Sequence, residues 1–269
     1  MYNFQALDKV AMEQLAACFN SAFSDYEQPI HFTTESLKYY LTASAVDLAL
    51  SFGAFCEEQM VGFILNSSGI YNDQSVVFDA GTGVVPEHRG KKVFSELFEY
   101  TAQQLQQSGI TRYYLEVLQG NDRAVTIYGK KGFSVLREYS VLLGSGFAGD
   151  LDPDIKCVPY QEFDAFEAAV SVEPSFEHTT HNINQNPKLY EVRYLDNQAY
   201  CIYAKRNGEI IQMHYNELDA LKKVMSAVVA QYPRAMAKNV DFKYGDVLQM
   251  LTEIGFKEVT RQFEMVRDI

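Results

Sequence analysis

Basic charge is in short supply in this chain: 23 lysines and arginines face 35 aspartates and glutamates, for a net charge of −12. Binding along a nucleic-acid backbone needs a broad basic surface, so the shortage argues against nucleic acid as a partner. Cysteine is scarce as well. Cys18, Cys56, Cys157 and Cys201 are widely scattered with no CxxC pair, which reads as reduced, mostly buried thiols and neither a disulfide frame nor a zinc site. No apolar run comes near the ~18 residues of a membrane span. The first residues, Met1-Tyr2-Asn3-Phe4-Gln5, lack the basic and apolar regions of a signal peptide. A cytoplasmic protein that does not engage membranes is expected. Two familiar phosphate motifs are also missing: there is no GxxxxGK[ST] and no GxGxxG, which removes P-loop and dinucleotide chemistry.

What is present is an α/β pattern. Leu15, Phe19 and Phe23 place one apolar stripe on a helix over about 8–23. Thr34 is placed to cap a second helix over 35–41. Residues 54–56 and 60–65 read as a hairpin around Glu57-Glu58-Gln59, followed by a strand over 76–85. A helix over 92–107 is stopped by Gly109, and a buried strand (113–118), a short helix (123–131) and a strand (134–143) follow. Gly144-Ser145-Gly146-Phe147-Ala148-Gly149-Asp150, with Pro153 and Pro159 beyond it, is the expected domain boundary. It divides the chain into domains of 1–146 and 152–269. In the second, a hairpin (199–204, 209–214), a helix (217–231), a strand (235–241), a helix (246–254) and a last strand to Val266 are expected.

The second part repeats the end of the first. Glu116 lies 16 residues before Gly132-Phe133, and Asn239 lies 16 before Gly255-Phe256. Arg137-Glu138-Tyr139 and Arg261-Gln262-Phe263 then occupy matching strands. This register sets Tyr244 against Asn121 and Leu251 against Tyr128. No Pro-x-x-Arg-Gly turn occurs after residue 150. The second domain thus reads as a degenerate copy of the first, with the scaffold and without the chemistry.

The chemistry concentrates between residues 84 and 133. A strand ends at Val84-Val85, enters the turn Pro86-Glu87-His88-Arg89-Gly90, and opens a helix near Lys91-Lys92-Val93-Phe94. A helix start presents unpaired N–H groups and the positive end of the helix dipole, a ready phosphate site where glycine lets the backbone come close. Arg89, Lys91 and Lys92 add charge for a pyrophosphate. Further on stand Asn121, Ala124, Tyr128, Gly132 and Phe133.

This pair of motifs resembles the GNAT superfamily of acetyl-CoA-dependent N-acetyltransferases, whose patterns are Val-x-Pro-x-x-[Arg/Gln]-x-x-Gly-x-[Gly/Ala] and Asn-x-x-Ala-x-x-x-Tyr-x-x-x-Gly-Phe. Val84, Pro86 and Arg89 fit the first, and the second fits throughout. The two small residues of the first pattern are Lys92 and Phe94 here. The resemblance covers about residues 1–143 and implies a mixed, mostly antiparallel sheet flanked by helices, followed by a smaller α+β domain. It implies direct acetyl transfer from acetyl-CoA to a primary amine of a small molecule or peptide, with no metal. The backbone of Val84 and Val85 would pair with the pantetheine arm, and a backbone N–H there would polarise the thioester carbonyl. Arg89, Gly90, Lys91, Lys92, Val93 and Phe94 would hold the phosphates, with Asn121 on the pantetheine or its loop. Tyr128 would protonate the departing thiolate, since a phenol with a pKa near ~10 keeps its proton at neutral pH.

The base that deprotonates the amine is Glu116, Asp79 or bulk water. Glu116 alternates out of the apolar Leu115/Val117 face and could otherwise pair with Arg112 or Arg123; Asp79 could be a turn residue beside Gly81. Asp25, Tyr26 and Glu27 lie where such enzymes place acceptor contacts, and they also suit an acidic surface loop. Glu177-His178 with His181 has HxxH spacing but lacks further ligands nearby, so a solvated loop is expected. Phe163, Phe166, Tyr200 and Tyr203 read as core. A homodimer is compatible with the sequence. The alternative function is a non-catalytic acyl-CoA-binding sensor, for which Lys92 and Phe94 are the motive.

Overall fold

A computed structural model describes residues 2–25, 31–71, 74–164 and 171–269; Tyr26, Glu27 and Phe166 lie outside the described residues. Two compact units form, one of Met1–Leu115 with Val266–Ile269, the other of Glu116–Met265. No helix among the described residues is long and apolar enough to cross a membrane.

The first unit contains β1 (Tyr2–Ala6), α1 (Met12–Ala22), α2 (Thr34–Ala43), β2 (Phe52–Cys56), β3 (Gln59–Tyr71), β4 (Gln74–Val84), α3 (Val93–Gln107) and, as far as Leu115, β5 (Arg112–Leu118). Its strands lie in the order β1-β2-β3-β4-β5. All neighbours are antiparallel except β4 and β5, which run parallel. Leu15 and Phe19 of the expected stripe are buried on α1, Phe23 is half-buried at its C-cap, and Phe19 stacks on Phe63 at 5.1 Å. Burial of this stripe removes apolar surface from water, the main stabilising term for such a helix. On α3, Val93, Leu97, Phe98, Thr101, Ala102 and Leu105 form the buried face, and Gly109 leaves the helix at φ +79°. The cap of α2 is Thr33, one residue earlier than expected: its hydroxyl accepts from Ser36 N–H while the Ser36 hydroxyl accepts from Thr33 N–H.

β3 runs six residues beyond the expected hairpin strand, through Asn66-Ser67-Ser68-Gly69, residues of low strand propensity. Partners explain this. Asn66 is fully buried, donates to Leu50 O at 2.6 Å and accepts from Tyr113 Oη at 2.6 Å. The segment also pairs with β4 as far as Tyr71↔Gln74.

The second unit contains α4 (Asp122–Lys130), β6 (Ser134–Leu143), β7 (Lys156–Pro159), α5 (Thr180–Gln185), β8 (Tyr190–Leu195), β9 (Ala199–Ala204), β10 (Ile210–Tyr215), α6 (Leu218–Gln231), β11 (Met236–Asp241), α7 (Gly245–Glu253) and most of β12 (Lys257–Asp268). Its strand order is β12-β6-β11-β10-β9-β8-β7. The core gathers Leu221, Val224 and Val228 of α6 with Tyr203, Leu251 and Phe256. Tyr200 is buried too, and Phe163 packs against its cluster. Neither β7, α5 nor β8 shows in the sequence periodicity; each is short.

The compact units divide at Leu115, not in the Gly144–Asp150 link. The reason is strand placement. β6, the last strand of the expected first domain, pairs antiparallel with β11 of the second (Met236↔Leu143 to Asp241↔Tyr139). β12 returns in exchange: Gln119 N–H, just past β5, donates to Arg261 O at 3.0 Å. Residues Glu116–Met265 therefore pack together as the second unit.

Candidate active site

The end of β4 is shaped by one bulge and one loss of pairing. The register with β3 slips between Leu65 and Asn66, opposite Asp79–Gly81. Asp79 braces this bulge, its carboxylate accepting from Gly81 N–H at 2.9 Å and from the Thr82 hydroxyl at 2.7 Å. Each oxygen thus takes one local donor, and Asp79 is a strand residue that holds the bulge. Parallel pairing with β5 runs from Val76↔Arg112 to Asp79↔Leu115. Among the described residues, β4 from Ala80 to Val84 has no pairing with β5.

Alternation then decides which groups this edge offers. Val85 N–H donates to Val61 O at 3.0 Å, so Val85 and Gly83 turn toward β3. Thr82 and Val84 present their N–H and C=O to the opposite edge. Val85 is buried and is thus a correction to the paired Val84–Val85 contact expected from sequence: only Val84 faces the open edge.

The turn that follows is built on two left-handed residues, Gly90 at φ +73° and Lys92 at φ +66°. A Cβ at Gly90 would meet nothing within 4 Å, so the turn is open to solvent. Lys92 is the N-cap residue of α3 and makes no side-chain cap bond. The left-handed region disfavours a side chain. Lys92→Gly is therefore expected to stabilise the fold by about 0.5–1 kcal/mol, read as a small rise in Tm. Lys91 and Lys92 are exposed, and Val93 is buried. Phe94 does not project over the turn alone; its half-buried ring lies 5.8 Å from Phe98 along one helix face, and Phe98 stacks on Tyr113 at 5.9 Å.

Arg89 departs from the expected phosphate contact. Its guanidinium donates to Asp25 through NH1 (2.5 Å) and NH2 (3.0 Å), to Ala22 O at 2.7 Å, and through Nε to Val84 O at 3.0 Å. The hydrogen bond from Arg89 in turn holds the Asp25 carboxyl below its ordinary range. Arg89 thus ties the end of α1 to the end of β4 and shapes the turn from behind.

In the second unit, Asn121 caps α4, its side-chain oxygen accepting from Ala124 N–H at 3.1 Å. Tyr128 is half-buried near the end of that helix, its ring edge-on to Phe133 at 5.6 Å. Gly132 at φ +87° folds the chain back so that Phe133 N–H reaches Tyr128 O at 3.1 Å. Each residue of the Asn-Ala-Tyr-Gly-Phe motif thus has a scaffold role, Tyr128 through its ring and backbone carbonyl. The same geometry recurs at α7: Tyr244 caps it at φ −94°, ψ 58° against −94°, 65° for Asn121, Gly255 stands at φ +95°, and Phe256 N–H donates to Leu251 O at 3.0 Å. The β10–α6 connection carries Glu217 at the N-cap of α6, a carboxylate at the positive end of that helix.

Glu116 is not paired with Arg112, which binds Asp268 at 2.9 Å. Its two oxygens accept separate amide donors, Asn239 Nδ2 at 2.7 Å and Gln262 Nε2 at 2.9 Å. Burial raises its pKa to about 7, against the opposing pull of Lys238 and Asn239. Beside it, Lys238 and Glu177 form an ion pair at 2.8 Å. Burial alone would keep Glu177 neutral, yet Lys238 holds it below the ordinary carboxylate range. His178 is buried, and burial lowers it to about 4. His178 is thus buried and Glu177 half-buried in its ion pair, which corrects the expected solvated loop for these two; His181 is exposed. Asn239 and Gln262 carry no signal of function in sequence beyond their place in the repeat.

The fold is of the acetyltransferase type. Residues 11–133 match the acetyltransferase (GNAT) family. Among solved structures, a putative acetyltransferase from Pyrococcus horikoshii superposes with a TM-score of 0.72 at 13% identity, over 100% of this chain and 89% of that one. A GCN5-related N-acetyltransferase from Sphaerobacter thermophilus gives 0.66 at 11% identity, over 99% and 95%. A tandem GNAT protein from the clavulanic acid biosynthesis pathway gives 0.63 at 11%, over 100% and 98%. At these identities the likeness is one of fold. No curated protein matches the sequence.

Proposed function

We propose that the chain transfers an acetyl group from acetyl-CoA to a primary amine of a small molecule or peptide, and that its C-terminal half is a degenerate GNAT-like copy. The observation that carries this reading is the β4 edge without a β5 partner from Ala80 to Val84, running into the left-handed turn at the start of α3, within a stretch that matches the GNAT family. The residues present fit acetyl-CoA. Thr82 and Val84 offer backbone groups to the pantetheine amides, and the open Gly90–Phe94 turn offers N–H groups and the Lys91 and Lys92 charges to the pyrophosphate. When bound, acetyl-CoA supplies the activated acyl group.

The chain's residues then manage protons. The ammonium form of the acceptor gives one proton to Glu116, directly or through a water, and the neutral amine attacks the thioester carbonyl. A backbone N–H at the β4 edge steadies the charge that develops on the carbonyl oxygen. The carbon–sulfur bond breaks as Tyr128 gives its proton to the leaving sulfur, and the excess proton on the new amide nitrogen restores Tyr128. One proton reaches solvent through Glu116, so the products are the N-acetyl amine, free thiol and H⁺.

Thiol release from acetyl-CoA across an amine panel, measured on the full chain, tests the reading. Turnover of at least one primary amine is expected; acetyl-CoA binding without turnover would instead make the protein a sensor. Because Glu116 works as the carboxylate and titrates near pH 7, kcat/KM is expected to rise through about pH 7 and to lose that limb in Glu116→Gln. Arg89→Ala removes the tether behind the turn and is expected to raise the Kd for acetyl-CoA about tenfold, a loss of ~1.4 kcal/mol. Isothermal titration reads it, and an unchanged Kd would detach the turn from cofactor binding.

A further inference from the structure

The partners of Glu116 come from the other half of the chain. Asn239 stands on β11 and Gln262 on β12, 123 and 146 residues away in sequence. Together they close a ring of three side chains. Asn239 Nδ2 donates to Glu116 Oε1 at 2.7 Å, Gln262 Nε2 donates to Oε2 at 2.9 Å, and Gln262 Nε2 also donates to Asn239 Oδ1 at 2.9 Å. A second bond from Asn239 Nδ2 to the buried Ser175 hydroxyl, at 3.1 Å, fixes which way that amide faces.

The backbone is bent to make this contact. Asn239 has φ +60°, and the β11–β6 register slips between Ala237 and Val240, so Asn239 is the residue displaced from the ladder. A left-handed non-glycine residue in a buried strand is strained, and here the strain accompanies a side chain aimed at a carboxylate. Asn239 also holds the place of Glu116 in the repeat, each 16 residues before its Gly-Phe. A second carboxylate there would set two like charges in contact. An amide donates instead.

We propose that Asn239 and Gln262 are positioning residues for acetyl transfer, by which the C-terminal half holds the Glu116 carboxylate in place as the base. The proposal rests on the acetyltransferase reading above. The C-terminal half thereby acquires a role, for its strands β11 and β12 supply both amide donors to Glu116. One donor per oxygen fixes the carboxylate plane and leaves the remaining lone pairs for the acceptor's proton or a bridging water. Because only the ionised form accepts both bonds, the two amides favour the form that works as a base, in opposition to burial. The charged groups that also face Glu116 are the Lys238–Glu177 pair and Glu264, the latter bound to Arg137; His178 and Glu209 act on that pair through Lys238. The variants below leave all of these in place.

The test measures kcat/KM against pH by thiol release for the native full chain, Asn239→Ala, Gln262→Met and Gln262→Asn, using the best acceptor of the amine panel. In parallel, 13C NMR follows the Glu116 carboxyl carbon, assigned by difference from Glu116→Gln. Loss of either donor is expected to move the acidic limb and the carboxyl titration upward together by about one pH unit, the scale of one charge-assisted hydrogen bond. Activity at pH 7 is expected to fall about fivefold and to recover above pH 9, with the KM for acetyl-CoA unchanged. Gln262→Asn, which keeps an amide, is expected to fall between native and Gln262→Met. Gln262 is only partly buried, so its variants keep the test open if Asn239→Ala does not fold. Thiol release from the variants with an unmoved limb and carboxyl titration would overturn the positioning role alone. No thiol release from the native chain with any amine would overturn the acetyltransferase reading and this proposal with it.

Discussion

Replacing Tyr128 by phenylalanine is expected to lower kcat for acetyl transfer by about 10²-fold or more, with the Kd for acetyl-CoA nearly unchanged. The substitution removes one oxygen and keeps the ring. That ring is what the scaffold uses: it lies edge-on to Phe133, and the Tyr128 backbone carbonyl receives Phe133 N–H. Neither contact needs the hydroxyl, so α4 and its Gly132 turn are expected to persist. A thiolate is a poorer leaving group without a proton donor, and the loss should fall on the step in which sulfur departs. The expected signature is therefore a fall in kcat with binding intact, steepest for the least basic amine acceptors, whose expulsion competes most with that of sulfur. A kcat within twofold of native would make Tyr128 a packing residue like its counterpart Leu251, which is fully buried.

Replacing Arg137 by methionine is expected to destabilise the fold by about 3–5 kcal/mol, the cost of leaving a buried charge without its partner. Glu264 is fully buried. Arg137 reaches it through Nε at 2.7 Å and NH2 at 2.8 Å, while Tyr139 Oη adds a third bond at 3.0 Å. The guanidinium also lies 5.1 Å from the Tyr139 ring centre and within 3.3 Å of Pro174 O and Glu173. Methionine fills much of the volume and supplies none of the charge. Denaturant unfolding reads the loss, and Arg137→Met/Glu264→Gln is expected to recover part of it, because the double variant removes the orphaned charge as well. A double variant no more stable than Arg137→Met would locate the loss in packing with Tyr139 and Pro174 rather than in the ion pair.

Two arginines show where sequence reading stops. Arg89 stands in a basic turn and invites a phosphate; Arg137 stands in a strand and invites nothing. In the fold both are committed to carboxylates, Asp25 and Glu264. A guanidinium is read from sequence as a charge, but its role depends on whether a carboxylate lies within reach. Asp79 follows the same rule on a smaller scale: its partners, Gly81 and Thr82, lie within three residues. Glu116 was legible as a polar residue on an apolar strand, and nothing near it in sequence announced two amides from the far half.

What the sequence determined by itself is local. Apolar spacing on α1 and α3, the glycines after α3, α4 and α7, and the Asn-Ala-Tyr-Gly-Phe run each specify a helix, its cap and its exit through bonds that span a few residues. What only the tertiary structure decided is long-range. It set which edge of β4 offers Val84 and hides Val85, and it turned Arg89 back onto Asp25. It also placed β6 beside β11, which brings Asn239 and Gln262 to Glu116. The physical reason is that a cap or turn is settled by the chain's own dihedrals, whereas a buried carboxylate takes its partners from strands whose order no local spacing encodes.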